Sequence, residues 1–462
     1  MQLIKHIMES KLINETEIFN LNNSFTSISD GETTIWMDPL KSRSNLGAWA
    51  QWSESVSAQN VINQIKLKKI DYIFISHLHS DHFDEFFLKD IFNLDQDCPI
   101  IIIKEFRSKR LKEKIIKFWP KDKVIEIPEY QFFNASTIEI VILPQMSPSS
   151  EESSGLINYD LDTSCIVRTK DVVIFNEVDN TYSLEEYKFL NSKINELGIE
   201  KIDLALIGYS GASDYPQCHL DIDRQSEAKR IKEKCIKRFL EVGKLLNTQY
   251  IVPAGGNYLL DYPFDYLNDY ICVPSFEDIE SYNVSKICSV VNPGRYYFSI
   301  LDNVISLKKR FDNLPIKPSI GKENPSIPYL YESSNVQILK KSIIENVEIL
   351  EKNFPQHFLD IYSKLQTSIT FIVHKDIPKY SDLEELINRS IYSWKIFKNL
   401  ESVVKKDISL DVHISGEAFM QMSKGLLSWD ELVFHCLFLR KPNIYEPEAL
   451  MFINWYRNWE KN

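Results

Sequence analysis

Residues 71–82 constrain this chain more than any others. Tyr72-Ile73-Phe74-Ile75 is a run of β-forming side chains behind the charged Asp71, the pattern of a short buried strand. Ser76-His77-Leu78-His79-Ser80-Asp81-His82 follows directly and places three of the nine histidines and a carboxylate within six residues. Such a strand-then-polar-loop order points to an α/β fold, where ligands bind at the carboxyl ends of strands. Imidazole and carboxylate together bind zinc, iron or manganese. His77 and His79 alternate, so an extended backbone points both the same way. Asp81 and His82 come after a turn and can face a second ion. Two ions about 3.5–4 Å apart can act on one activated water or oxygen species. The alternative, a polar loop of hydrogen-bonded histidines, suits a lone histidine better than a His-x-His-x-Asp-His run.

At 462 residues the chain has room for two or three domains. Its net charge of −12 argues against a general nucleic-acid binder, which needs a basic surface, but leaves room for a local pocket for an anion. No run approaches the ~18 apolar residues of a membrane span. Met1 to His6 lacks the charged-then-apolar order of a signal peptide. The seven cysteines show no Cys-x-x-Cys and no pairing pattern, so reduced thiols in a cytoplasmic protein are expected.

Before the histidine run, residues 17–20 and 33–37 read as strands, and the Asp38-Pro39 pair ends the second. Leu46 to Trp52 suggests an aromatic rim loop, and residues 57–68 have amphipathic helical spacing. After the run come a helix over 85–92, a strand over 98–103, and a basic helix over 106–119. Arg107, Lys109, Arg110, Lys112, Lys114 and Lys117 give that helix a solvated face, with anion binding as the alternative. Strands follow at 123–127 and 137–143. Residues 145–155 are Ser-rich and acidic, a loop placed where a lid over the metals would lie. Further strands are expected at 162–167, 172–178, 203–207 and 250–252. A long amphipathic helix over 225–246 turns Ile231, Cys235, Phe239, Val242 and Leu246 inward. Asn257 with the Gly255-Gly256 backbone, and Arg295, are candidate contacts for an anionic substrate group. Prolines and a glycine over 314–330 mark a linker between a domain at 1–313 and a second at 331–462. In the second, helices are expected near 334–352, 381–400, 416–422 and 426–439, and strands near 367–374 and 408–414. His413 and His435 read as packing or surface residues.

His77-Leu78-His79-Ser80-Asp81-His82 resembles the signature of the metallo-β-lactamase fold superfamily. The resemblance implies an αββα sandwich with one or two metals at the sheet edge, here followed by a C-terminal α+β domain. It implies that Asp38 buttresses a ligand histidine and that Asp179 bridges the two metals. It also implies two more histidines, which this chain lacks: Asn158, Asp160 and Asp162 lie where the first belongs, and residues 251–258 contain none. His219 and Asp162 are the candidates to complete the set.

Three further stretches resemble the CMP-N-acetylneuraminate hydroxylases: Asp162 to Val167 with Asn176 to Asp179, Tyr209 to Pro216, and Gly425 to Leu432 with Arg440 to Tyr445. This resemblance implies an iron-dependent monooxygenase acting on a nucleotide-linked sugar. Members of that family carry a Rieske domain, whose Cys-x-His and Cys-x-x-His pairs are absent here. Electrons would then come from a separate protein or from the substrate.

The leading expectation is therefore a dinuclear non-haem iron oxygenase with metal ligands His77, His79, Asp81, His82 and Asp179, completed by His219 or Asp162. Asp81 and Asp179 are its catalytic carboxylates, and its substrate is small and anionic. Oxygen-rich ligation favours iron, with zinc or manganese as alternatives. The second expectation is a hydrolase of a phosphodiester, amide or lactone that uses a metal-bound water. The C-terminal domain either caps the cleft or forms a homodimer interface.

Overall fold

The computed structural model describes residues 15–40, 43–44, 49–51, 69–94, 97–146, 162–180, 182–210, 213–256, 258–261, 264–282, 288–309, 335–352, 367–375, 390–395, 408–424 and 435–441. With strands numbered along the chain, the first sheet holds β1 (Thr16–Asn22), β2 (Phe25–Ser29), β3 (Thr34–Met37), β6 (Tyr72–Ile75), β7 (Ile100–Lys104), β8 (Val124–Ile127), β17 (Tyr296–Leu301) and β18 (Val304–Lys309). Their order is β18-β17-β1-β2-β3-β6-β7-β8. The second holds β9 (Phe132–Ala135), β10 (Ile138–Pro144), β11 (Thr163–Arg168), β12 (Val173–Asn176), β13 (Leu204–Ile207), β14 (Tyr250–Pro253) and β16 (Ser289–Val290), ordered β16-β14-β13-β12-β11-β10-β9. A small third sheet joins β4 (Arg43–Ser44), β5 (Trp49–Gln51) and β15 (Tyr258–Leu260).

Both faces of the central strands are apolar because both are covered. Phe74 and Ile102 turn inward and meet Ile142, Cys165, Ile174 and Leu204 of the opposite sheet. Ile73 and Ile75 turn outward to Phe87, Leu88 and Ile91 of helix Glu85–Leu94. On the far side, helices Leu184–Glu196 and Arg224–Leu245 bury Tyr187, Leu190, Ile236 and Phe239 against Ala205, Ile207 and Ile251. Helix, sheet, sheet, helix is the αββα sandwich of a metallo-β-lactamase-like fold.

Strand direction brings the site together. β3 and β6 are parallel, with Met37 beside Phe74, so Asp38 and Ser76 emerge at the same edge. β12, β13 and β14 are also parallel and release Glu177, Gly208 and Ala254 at one edge of the second sheet. β11 runs antiparallel to β12 with Cys165 opposite Asn176, which puts its entry residue Asp162 at the exit of β12.

The C-terminal sheet is β20-β19-β21-β22, from β19 (Thr367–His374), β20 (Ser390–Lys395), β21 (Ile408–Ser415) and β22 (Cys436–Lys441). Helices Val336–Lys352 and Gly416–Ser423 pack on it through Leu339, Ile343, Ala418 and Phe419. The segment at His219 joins its edge: Leu220 N–H donates to the Phe438 carbonyl at 2.8 Å, and Phe438 N–H donates to that of Cys218 at 2.9 Å.

Several sequence expectations need correction. The helix expected near 381–400 contains a strand at Ser390–Lys395, paired with β19; its β-branched and aromatic side chains suit that edge. Of the helix expected over 426–439, Cys436 onward forms strand β22, paired with β21, and residues 426–434 lie outside the described residues. The basic helix is only Arg110–Ile115; Trp119 beyond it is held by its indole N–H on the Pro99 carbonyl. In the long helix Ala228, Ile236 and Gly243 are buried with Phe239 and Val242, whereas Ile231 and Cys235 are half-buried. The helix expected over 57–68, most of the loop over 145–155 and the linker over 314–330 lie outside the described residues. No disulfide links any of the seven cysteines, and no described helix is long and apolar enough to cross a membrane.

His374 and His413 are both fully buried, with Nε2 of one 3.1 Å from Nδ1 of the other. Burial pushes His374 down to about 4. Between that value and the ordinary 6.5 only the unfolded chain takes the proton, so stability is lost as pH falls through this window. Urea titrations from pH 7 to 4 are expected to show a steeper loss for the natural protein than for His374→Gln; equal slopes would contradict this.

Candidate metal centre

β6 ends at Ile75, and the next residues turn back on themselves: the N–H groups of His82 and Phe83 both donate to the His79 carbonyl, at 3.0 and 2.8 Å. That turn folds the histidine run into a cup. His77, Asp81 and His82 are buried, and His79 is half-buried. The cup is fastened from below by Asp38. Its backbone sits in the left-handed region (φ +44°), and its N–H donates to the Phe74 carbonyl at 2.9 Å. Its carboxylate accepts from Ser76 N–H (2.7 Å), Ser76 Oγ–H (2.6 Å) and His82 Nδ1–H (2.8 Å). Because the Ser76 hydroxyl gives its proton to Asp38, it accepts from His77 Nδ1 at 2.9 Å. One buried carboxylate thus fixes two imidazoles, leaving Nε2 of each as the lone-pair nitrogen.

Two overlapping groups result. His77, His79 and Asp162 bring ligand atoms within 4.8 Å of one another, and so do His77, His82 and Asp179. His77 Nε2 lies 2.8 Å from His79 Nδ1 and 3.6 Å from Asp162. His82 Nε2 lies 3.1 Å from Asp179 and 3.5 Å from Asp81. That nitrogen is buried and makes no aligned hydrogen bond, although two carboxylates face it. With Nδ1–H committed to Asp38, a lone pair against two carboxylates is repulsive unless positive charge, either a proton on Nε2 or a metal ion in its place, sits between them. The donor set fits a metal cation.

The electrostatics agree. Burial, with the imidazoles of His82 and His79, holds His77 well below the ordinary histidine range, in the neutral form that ligates. For His82 burial opposes charge, yet Asp179, Asp81 and Asp38 outweigh it and raise the group well above that range. Burial also raises Asp81, but the charge of His82 prevails and holds its carboxyl low. The carboxylates of Asp162 and Asp179 are 20% and 28% exposed, so the cup opens on their side.

A second buried assembly shapes the Asp179 turn. Glu177 is fully buried and accepts hydrogen bonds from Tyr187 Oη–H, the Arg238 guanidinium and, at 2.9 Å, Gly208 N–H. Arg238 also donates to the Gly208 carbonyl at 3.1 Å. Between Glu177 and Asp179, Val178 is held at φ +56°, a conformation β-branched residues avoid at a cost of about 1–3 kcal/mol. Gly255 (φ +79°) passes so close that a Cβ there would sit 3.4 Å from Asp179 Oδ1.

Of the residues singled out in sequence, His77, His79, Asp81, His82, Asp162 and Asp179 come together. His219 does not join them: it belongs to neither group, its Nε2 lies 2.8 Å from Asp214, and its ring stacks on Phe438. Arg295 is exposed in a turn, 3.7 Å from Glu277. Gly255 N–H donates to the Asn23 carbonyl at 3.3 Å rather than facing a ligand, and Asn158, Asp160 and Asn257 lie outside the described residues. Sequence reasoning missed the roles of Ser76, Glu177 and Arg238. The one available signal was a charged residue, Arg238, beside the apolar stripe of its helix.

No family model matches the chain. A Mycolicibacterium smegmatis protein provisionally named Rieske 2Fe-2S iron-sulfur protein is 21% identical over 229 residues, 48% of this chain and 40% of that protein. The chain thus spans about two fifths of the length of the curated relative it matches. Among solved structures, CmlA, a diiron β-hydroxylase from Streptomyces venezuelae, superposes with a TM-score of 0.39 at 12% identity, covering 62% of this chain and 54% of that one. An isothiocyanate hydrolase from Delia radicum gut bacteria gives 0.39 at 12%, covering 63% and 99%.

Proposed function

We propose that the protein is a metal-dependent oxygenase whose centre takes two iron ions, one held by His77, His79 and Asp162, the other by Asp81, His82 and Asp179. The observation that carries this reading is the convergence of these donors: His77, His79 and Asp162 lie within 4.8 Å of one another, and His82 Nε2 lies 3.1 Å from Asp179 and 3.5 Å from Asp81. Carboxylate-rich ligation suits iron or manganese better than zinc. When bound, the ions supply the redox chemistry that activates dioxygen. Two divalent ions also balance the charge of Asp38, Asp81, Asp162 and Asp179, so burial carries little penalty. Asp38 and Ser76 hold the imidazoles in register, and a small anionic substrate, nucleotide-linked if the resemblance to the CMP-N-acetylneuraminate hydroxylases extends to it, enters on the Asp162 and Asp179 side. Electrons come from a separate carrier. The match to a protein named for a Rieske centre supports that supply route. A hydrolase acting on a phosphodiester, amide or lactone would draw on the same ligands. Metal analysis of anaerobically purified protein separates the two: about two irons per chain are expected. Two zincs without iron, with turnover of a generic phosphodiester or lactam in the absence of oxygen, would establish the hydrolase instead.

A further inference from the structure

A chain of net charge −12 carries one strongly basic stretch. Residues 104–123 hold nine Lys or Arg and three Asp or Glu. Glu126 takes Lys109 and Lys112, at 2.9 and 2.5 Å. Arg107, Lys114, Lys117 and Lys121 are exposed. Beside them lies the most exposed large apolar side chain described, Phe86, at 80%. Lys89 ties the two together: its Nζ lies 5.8 Å from the centroid of the Phe86 ring and 5.2 Å from that of Phe118. Lys89 also pairs with Glu85 at 2.6 Å, so the positive character of the patch comes from the exposed cations of residues 107–121. An exposed aromatic next to a basic stretch has the composition of a docking patch with a charged rim.

Its position gives it a use. Phe83 directly follows the candidate ligand His82, and its ring is 6.5 Å from that of Phe118. Phe83 and Phe118 thus link the patch to the histidine cup through aromatic side chains. A carrier bound here would sit close to the centre.

We propose that Phe86, Lys89 and the exposed cations of residues 107–121 form the docking surface for a small acidic one-electron carrier protein. The proposal rests on the oxygenase reading for its purpose, but the surface can be tested without it. Each docked carrier would be oxidised by one electron, so two encounters would supply the two electrons an oxygenation consumes. Cationic rims steer acidic partners and raise association rates by about 10–10³-fold at low salt, an advantage that salt removes.

The probe is a small acidic plant-type [2Fe–2S] ferredoxin, titrated by calorimetry against the full chain, iron-loaded and zinc-loaded. Binding is expected in both forms and is expected to weaken steeply between about 20 and 200 mM salt, as the Debye length shortens from about 20 to about 7 Å. Arg107→Glu/Lys114→Glu/Lys117→Glu is expected to weaken it at least tenfold and Phe86→Ala several-fold. Reversing the exposed Lys229, Lys234 and Lys237 on the opposite helix layer is expected to leave it unchanged. Circular dichroism checks that each variant is folded. Salt-independent or undetectable ferredoxin binding, equal weakening by the control reversals, or binding of anionic vesicles or RNA by this patch in place of ferredoxin would overturn the proposal. Patch-dependent ferredoxin binding, together with anaerobically purified protein that carries two zincs and no iron, would overturn the oxygenase reading while leaving the surface in place.

Discussion

Asp38→Ala is expected to lower metal affinity by about 10–100-fold while leaving every ligand in the chain. The buried carboxylate accepts from Ser76 twice and from His82 Nδ1. Removing it strands a backbone N–H and an imidazole N–H in a fully buried site, and it frees the Ser76 hydroxyl that holds His77. Both imidazoles can then rotate or change tautomer, and Nε2 is no longer guaranteed its lone pair. Chelator-competition titrations of the natural protein and Asp38→Ala measure the loss. Ser76→Ala, which removes only the link to His77, is expected to lose less. Unchanged affinity in a folded Asp38→Ala protein would show that the histidines are fixed by something else.

The largest effect on stability is expected at the Glu177–Arg238 pair. Arg238→Met leaves the Glu177 charge buried without its cation, a situation that typically costs about 3–5 kcal/mol. Tyr187 and Gly208 still donate to the carboxylate, which places the expected loss toward the lower end of that range. Glu177→Leu/Arg238→Met removes both charges and is expected to recover much of the loss, since apolar replacement of a buried pair is often neutral. The turn bearing Asp179 begins at Glu177, so metal content is expected to fall in both variants. Urea unfolding with metal analysis tests the set. A double variant as unstable as Arg238→Met would indicate that the side chains act through packing, not charge.

The two effects differ in origin. Asp38 acts through hydrogen bonds to ligands, so its loss is read in metal binding. Glu177 acts through the backbone of a strained turn, with Val178 at φ +56°, so its loss is read first in folding.

Much of this molecule was legible in the chain itself. A strand of Tyr72-Ile73-Phe74-Ile75 that ends in alternating histidines has few places to go, because its apolar faces both need cover and its polar end needs an edge. Local chemistry therefore determined the sandwich, the cup of His77, His79, Asp81 and His82, and the roles offered to Asp38 and Asp179. Local patterns were less informative where strand and helix compete over short apolar runs: Ser390–Lys395 and Cys436–Lys441 became strands because a neighbouring strand offered hydrogen bonds that periodicity cannot reveal.

The choice between Asp162 and His219 was decided only by tertiary structure. Both follow or precede strands of the second sheet, and histidine is the commoner metal ligand. Antiparallel pairing of β11 with β12 carries Asp162 to the edge where Asp179 emerges, whereas the segment of His219 is drawn away to extend the C-terminal sheet beside Phe438. Residue type states what a side chain is able to bind. Which side chains meet is set by strand direction and register, and these depend on pairings between residues far apart in the chain.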